Sequence, residues 1–216
     1  MKTILLDRDG VINQDSDDFI KSVEEWQPIP GSLEAIALLH RHDYRIVVLT
    51  NQSGVARGLF SLATLNEIHR HMLAETRKKG GMIEAIFFCP HGPDDGCSCR
   101  KPLTGMYKDV ANRLKIEMNG VPAVGDSMRD LQAARDVGAL PVLVATGKGK
   151  STARLLKSKG SPVSPDDVIK FKDLASFADT LLAGDLDSAI LAVSYTHLTL
   201  PTNRVAGGGG GGAGGV

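Results

Sequence analysis

Apolar residues fall along this chain in short unbroken runs, separated by longer stretches in which they recur every three or four positions. The runs are Ile4-Leu5-Leu6, Ile46 to Leu49, Ile86 to Phe88, Val121 to Val124 and Pro141 to Val144, with Val168-Ile169 a shorter one. Runs that are apolar throughout, rather than alternating, suit strands covered on both faces, as in a parallel sheet between two helix layers. Between the runs, Ser32 is placed to cap a helix through about His42 with Leu33, Ile36 and Ala37 on one face, and Ser61 a longer helix that Gly80-Gly81 ends. Met106 to Leu114, Asp130 to Val137 before Gly138, and Asp173 to Leu182 read as further helices. The alternation predicts an α/β fold with a doubly wound, Rossmann-like parallel sheet, whose ligands sit past the carboxyl ends of the strands.

Polar residues concentrate where the runs end. Asp7-Arg8-Asp9-Gly10 follows the first run, and side chains at i and i+2 of an extended segment share a face, so Asp7 and Asp9 address one ligand beyond the strand. Gly10 lets the backbone turn. One carboxylate of such a pair is able to attack phosphorus while the other handles the leaving-group proton, provided a divalent cation offsets their repulsion. Acidic residues after a strand also make turns and caps, and these four residues alone leave both readings open. The second run leads into Thr50-Asn51-Gln52-Ser53-Gly54, which offers hydroxyl, amide and backbone donors to an oxyanion or a sugar hydroxyl, as a plain loop also would. The fourth leads into Gly125-Asp126-Ser127-Met128-Arg129-Asp130, and oxygen-only ligands suit magnesium. Arg100-Lys101-Pro102 adds two cations, with Pro102 placed to begin the next helix. Strand ends bearing Asp, Thr and Asp in order, with a lysine between the last two, form a series that chance explains poorly.

Cys89, His91, Cys97 and Cys99 offer three sulfurs and one nitrogen within eleven residues, the ligand set of a closed tetrahedral zinc site. Gly92-Pro93-Asp94-Asp95-Gly96 between the pairs has the composition of a tight turn. Buried free thiols would be the default for a lone cysteine; four ligand-type residues so spaced predict a structural zinc staple instead. Cys99 directly precedes Arg100 and Lys101, so the metal would fix those cations. Three further features are discounted. Gly149-Lys150-Ser151 lacks the leading glycine of a nucleotide-binding loop, Val144 standing in its place, and reads as a plain loop. His69 and His71 lie in a charged helical segment and read as solvated, and Trp26 near Pro28 and Pro30 reads as local packing.

With 216 residues, 42% of them apolar, and no run long enough to span a bilayer, the chain predicts a soluble globular protein of one domain. Twenty-five basic and 25 acidic residues cancel, which argues against a nucleic-acid surface dominated by phosphate attraction. Met1-Lys2-Thr3-Ile4 lacks the segments of a secretory signal, and three clustered cysteines do not make a disulfide framework; both point to the cytoplasm.

Asp7-Arg8-Asp9-Gly10-Val11, Thr50 to Gly54, Lys101 and Gly125-Asp126 with Asp130 resemble, in order, the four motifs of haloacid dehalogenase (HAD) superfamily phosphatases, over about residues 1 to 185. Asn51 to Gly58, together with Cys89-Pro90-His91 and Cys97 to Pro102, resemble more closely the D-glycero-D-manno-heptose 1,7-bisphosphate phosphatase family, with histidinol-phosphate phosphatase domains next in pattern. Val11 replaces the usual threonine and Thr104 a frequent proline, neither with a catalytic role. The resemblance implies a HAD core with a zinc-stapled loop and no large cap domain. It implies Asp7 as nucleophile, Asp9 as acid and then base, and Thr50 and Lys101 as stabilisers of the phosphoryl oxygens. Magnesium would be held by Asp7, Asp126 and the backbone carbonyl of Asp9, with Asp130 outside the ligand set. Substrate contacts would come from Arg100, Asn51, Gln52, Ser53 and Ser127. Asp15-Ser16-Asp17-Asp18 matches a family substrate-contact stretch and reads equally as a solvated acidic turn. The implied reaction is release of the C7 phosphate in heptose supply for lipopolysaccharide, by a monomer acting on a small phosphosugar without nucleic acid or membrane. Histidinol phosphate as substrate, or a non-catalytic zinc-stapled phosphosugar-binding module, are the alternatives; a pure binder has no need of the intact nucleophile.

From about Val193 the chain reads Val-Ser-Tyr-Thr-His-Leu-Thr-Leu-Pro-Thr-Asn-Arg and ends in a glycine tract. The first part resembles translated adapter or vector sequence, and the second lacks the apolar side chains that offset ordering entropy. The expectation is a phosphatase domain over 1–187 and a non-native, disordered tail over 188–216.

Overall fold

Ile4, Leu5 and Leu6 are each at most 1% exposed, yet they face opposite ways. Ile4 and Leu6 enter one apolar cluster with Leu33, Ile36 and Phe177, while Leu5 enters another with Met106, Val110 and Ala134. This two-sided burial is why the run carries no polar alternation. The computed structural model describes residues 2–184, so the predicted tail over 188–216 lies outside the described residues.

The strands are β1 (Lys2–Leu6), β2 (Tyr44–Asn51), β3 (Ala85–Cys89), β4 (Pro122–Gly125), β5 (Leu140–Val144) and β6 (Ile169–Phe171). They form one sheet in the order β3-β2-β1-β4-β5-β6, with every neighbouring pair parallel. The helices are α1 (Ser32–Arg41), α2 (Leu62–Lys78), α3 (Gly105–Leu114), α4 (Met128–Asp136), α5 (Gly149–Leu156) and α6 (Leu174–Leu182). The chain runs outward from β1 through β2 to β3, then returns to the other side of β1 as β4. That reversal opens a crevice at the carboxyl ends of β1 and β4. No segment between the elements forms a large cap, and among the described residues no helix is long and apolar enough to cross a membrane.

Most predicted elements are present with ends shifted by a residue or two, and four local readings are corrected. Gly31, at φ 85°, holds the N-cap of α1, and Ser32 lies inside the helix, donating its hydroxyl to Ile12 O at 2.6 Å. Pro102 does not begin α3, which starts at Gly105. Gly149-Lys150-Ser151 is the first turn of α5, a helix whose apolar positions the sequence reading passed over. His69 is buried, not solvated. Ser61 does cap α2, accepting from Thr64 N at 3.0 Å, and Trp26 packs in the core with the His71 ring 5.4 Å away.

Candidate active site

Asp7 stands one residue past β1, and its N–H donates to Val124 O at 2.9 Å, prolonging the β1–β4 ladder and fixing where the carboxylate begins. Asp126 follows the last residue of β4, and Thr50 is the penultimate residue of β2. Three adjacent strand ends thus deliver one polar side chain each to the crevice. Lys101 arrives from the loop between β3 and α3. Its backbone is held from both sides by the Asn51 amide, with N donating to Oδ1 at 3.1 Å and Nδ2 donating to the Lys101 carbonyl at 3.0 Å. Its ammonium is buried and reaches Leu49 O at 2.7 Å, Asp7 Oδ1 at 3.0 Å and Asp130 Oδ1 at 2.5 Å, so all three donors are engaged.

The charge count here is unequal. Asp7, Asp126 and Asp130 each present an oxygen within 4.8 Å of the others, against one ammonium. Burial pushes the Asp7 carboxyl up to about 7, opposed by Lys101 and reinforced by Asp130 and Asp9. Burial likewise lifts Asp126 to about 8, with Asp130 and Asp7 adding repulsion. Asp130 behaves oppositely: burial alone would raise it, yet Lys101 and the Ser127 donors hold it below the usual carboxylate range. Its Oδ2 accepts from Ser127 N at 3.0 Å and Ser127 Oγ at 2.5 Å, so both its oxygens have partners. For Lys101, burial works downward but Asp130 and Asp7 prevail and raise it well above the ordinary lysine value. Surplus buried carboxylate, all oxygen and partly unpaired, is a donor set that fits a hard divalent cation.

Asp126 is gripped from both sides by glycines. A Cβ on Gly10, at φ 79°, would lie 2.1 Å from Asp126 Oδ2, and one on Gly147, at φ 52°, 2.2 Å from the same atom. Lys148 N donates to that oxygen at 2.7 Å, and Thr146 Oγ1 ties the loop to Gly10 O at 2.6 Å. The β5–α5 loop is therefore part of the site, and the sequence reading missed it. The signal was available: Thr146-Gly147-Lys148 follows the end of the fifth apolar run, as the other site segments follow theirs.

Asp9 lines the same cavity but stands outside the three-carboxylate cluster, among a separate set of donors. Arg8 Nε and Nη2 donate to its Oδ1 at 3.0 and 2.9 Å, Nη2 also to Oδ2 at 2.9 Å, Asn13 Nδ2 to Oδ1 at 2.9 Å and Gln52 Nε2 to Oδ2 at 2.9 Å. Burial would raise this carboxyl, but Arg8 and the neutral donors override it and hold it low. Gln52 also donates to Thr50 Oγ1 at 2.8 Å and accepts from Arg8, so its amide organises Asp9 and Thr50, as that of Asn51 organises Lys101.

A cavity of about 280 Å³ covers these groups. Ser53 and Ser127 line it, as do Asp15, Ser16 and Asp17, with Lys148 Nζ 3.1 Å from Asp15 and 3.5 Å from Asp17; Asp18 is exposed and does not. Arg57, Arg100 and Arg129 supply the positive lining opposite. Arg100 Nη1 donates to His91 O at 3.2 Å, and burial, with Arg129 and Arg57 nearby, lowers its affinity for its proton.

The Cys/His cluster lies beside this wall. Cys89 Sγ is 3.7 Å from Cys97 Sγ and 3.1 Å from Cys99 Sγ, and His91 Nδ1 is 3.3 Å from Cys99 Sγ and 3.6 Å from Cys89 Sγ. A tetrahedron with zinc–sulfur bonds of about 2.3 Å has sulfur–sulfur edges of about 3.8 Å. The Cys89–Cys97 edge matches this, the Cys89–Cys99 edge is shorter, and all four ligand atoms lie within 4.8 Å of one another, close enough to converge on one ion. Burial, then the contact with Cys99, pushes the Cys89 thiol up to about 12, a cost that a coordinated cation would remove.

Known proteins resemble this chain in sequence and in fold. A family profile described as HAD-hyrolase-like matches residues 98–175. The D-glycero-beta-D-manno-heptose-1,7-bisphosphate 7-phosphatase of Bordetella bronchiseptica is 56% identical over 182 residues, 84% of this chain and 98% of the relative. The enzyme of that name from Pseudomonas putida is 50% identical over 84% of this chain and all of its own length. Among solved structures, the D,D-heptose 1,7-bisphosphate phosphatase of B. bronchiseptica, complexed with magnesium and phosphate, superposes with a TM-score of 0.81 at 55% identity, covering 85% of this chain and 99% of that one. The Burkholderia thailandensis phosphatase of the same name gives 0.65 at 44% identity, with the same coverage. The chain belongs to the D-glycero-β-D-manno-heptose-1,7-bisphosphate 7-phosphatase family of HAD-like hydrolases.

Proposed function

We propose that this phosphoric monoester hydrolase removes the C7 phosphate of D-glycero-β-D-manno-heptose 1,7-bisphosphate through an aspartyl-phosphate on Asp7, leaving the C1 phosphate in place. The observation that carries the reading is the split of the two carboxylates: Asp7 sits among acidic groups and Lys101, Asp9 among donors. Asp7 attacks phosphorus in line, the new P–O bond forming as the bond to the sugar oxygen breaks. Asp9, ionised among its donors before substrate arrives, takes up a proton from solvent as the phosphoryl dianion enters and passes that proton to the departing oxygen. Asp9 then takes a proton from the water that attacks the phosphoryl-aspartate, releasing phosphate and restoring Asp7. Thr50 and Lys101 hold the phosphoryl oxygens, Lys101 by turning its Asp7-bound N–H to them as that carboxylate bonds to phosphorus, a kind of contact whose loss costs about 10²–10³ in rate. Asn51 and Gln52 position Lys101, Thr50 and Asp9, while Ser53 and Ser127 line the approach.

Magnesium, held by Asp7 and Asp126 with the Asp9 backbone carbonyl, would neutralise the phosphoryl and carboxylate charge; Asp130, with both oxygens engaged, stays outside the ligand set. Zinc on Cys89, His91, Cys97 and Cys99 would be structural, fixing Arg100 and Lys101 as their immediate neighbours in the chain. Asp15, Ser16 and Asp17 are suited to sugar hydroxyls, and Arg100 to the phosphate that is not cleaved. The product feeds nucleotide-activated heptose for lipopolysaccharide, in the cytoplasm, from a monomer. The test compares kcat/KM for this bisphosphate with that for histidinol phosphate. Strong preference for the heptose is expected; preference for histidinol phosphate would reassign the substrate and leave the carboxylate chemistry standing.

A further inference from the structure

Arg8 is a cation buried to 1% exposure, and Asp9 and Gln52 engage only two of its three guanidinium nitrogens. The third, Nη1, faces His69 Nε2 at 3.4 Å. His69 is buried on the inner face of α2, and the Phe88 ring meets it edge-on from β3 at 5.8 Å. Arginine only donates, so the ring nitrogen facing it must be the bare acceptor, with the proton on Nδ1. Burial, and then the Arg8 charge, push the imidazole down to about 3, which keeps it in that neutral form.

We propose that His69 is a positioning residue for the acid–base carboxylate: it accepts from Arg8 Nη1 and so fixes the plane of the guanidinium that grips both oxygens of Asp9. A buried guanidinium with one nitrogen unpaired gains by rotating toward another acceptor, and that rotation would carry Nε and Nη2 off Asp9. Small displacements matter here, since about 1 Å of misplacement costs on the order of 10²-fold. The inference rests on Asp9 as proton donor to the leaving oxygen.

The test uses leaving groups of different need. A sugar oxygen requires the proton as the P–O bond breaks, whereas 4-nitrophenolate leaves without it, and kcat/KM reports the steps through that first cleavage. His69→Leu should lower kcat/KM for the heptose bisphosphate about tenfold or more and that for 4-nitrophenyl phosphate less than about threefold. His69→Gln, which keeps an acceptor, should stay within about threefold on both. Asp9→Asn is run alongside. If it shows no dependence on the leaving group, the acid–base reading fails; if it does and His69→Leu loses equally on both substrates, or on neither, the positioning role is overturned. The ring ¹⁵N spectrum of the wild-type holoenzyme tests the point without a variant: bare Nε2 with a proton on Nδ1 is expected, and a proton on Nε2 overturns it.

Discussion

The acidic centre and the Cys/His cluster both converge side chains on one small volume, and they do it in opposite ways. The acidic centre draws Asp7, Thr50, Lys101, Asp126 and Asp130 from across the chain, and only the sheet order brings them together. The cluster takes all four groups from the end of β3 and the loop after it. The first crowds carboxylates until Asp7 and Asp126 are raised and hold their protons for want of a cation; the second buries the Cys89 thiol, which is costly to ionise without a metal. A centre assembled by the fold carries strain that chemistry can use, whereas one assembled by a local loop can hold that loop. Lys101 joins them, two residues after Cys99 with its ammonium on Asp7 and Asp130.

The sharpest break between the two should come from Asp7→Asn. Loss of the nucleophile is expected to cut kcat by at least about 10⁴-fold. Thermal stability should hold or rise, because the change removes one of the crowded carboxylates. Steady-state assays and calorimetry on one sample check both, with deamidation excluded by mass spectrometry.

Cys97→Ser should do the reverse. Zinc content is expected to fall and the thermal midpoint to drop by about 10 °C or more, while kcat of the folded fraction stays within about tenfold. Metal analysis of protein prepared without added zinc, with melting curves, decides it. An ordered, active, zinc-free wild type would refute the staple.

Gly147→Ala probes the grip on Asp126. The added methyl group has no space beside Oδ2, and φ is positive, so a loss of about 1–3 kcal/mol is expected. Magnesium affinity measured by titration calorimetry should fall while zinc content is unchanged.

A last effect, which needs no variant, is one of pH. In magnesium-free buffer Asp7 and Asp126 titrate near 7 and near 8, above their unfolded values, so between pH 5 and 9 the folded state holds protons that the unfolded chain has released. Their contribution is present at low pH and lost as pH rises through those values. The melting midpoint should therefore fall steadily from about pH 5.5 to 8.5, and saturating magnesium should flatten the trend.

What the sequence revealed follows the same division. The cluster is local, so the spacing of Cys89, His91, Cys97 and Cys99 was enough to predict the convergence that the distances bear out. The acidic centre was legible through the rule that parallel strands end at the ligand, which picked out Asp7, Thr50 and Asp126. The same rule holds past Val144, where Gly147 and Lys148 follow the strand end, but the Gly149-Lys150-Ser151 pattern just after them masks it. Tertiary context decided the rest. His69 looked solvated because its neighbours on α2 are charged, and only the fold turns it inward, onto Arg8 and the Phe88 ring. Ser32 has the chemistry of a cap, yet Ile12 takes its hydroxyl and Gly31 the capping position. Asn51 and Gln52 read as substrate donors, and no local pattern indicates that their amides are engaged by Lys101, Thr50 and Asp9.

The central claim is that the acidic centre forms a covalent bond to phosphorus at Asp7. Acid quenching during steady-state turnover of the heptose bisphosphate, followed by borohydride reduction and peptide mass spectrometry, reads this directly. Residue 7 should be recovered as homoserine, the reduction product of an aspartyl-phosphate, in turnover samples and not in substrate-free controls. Reduction at another carboxylate, or an unmodified residue 7 under conditions where phosphate release continues from trapped enzyme, would contradict it.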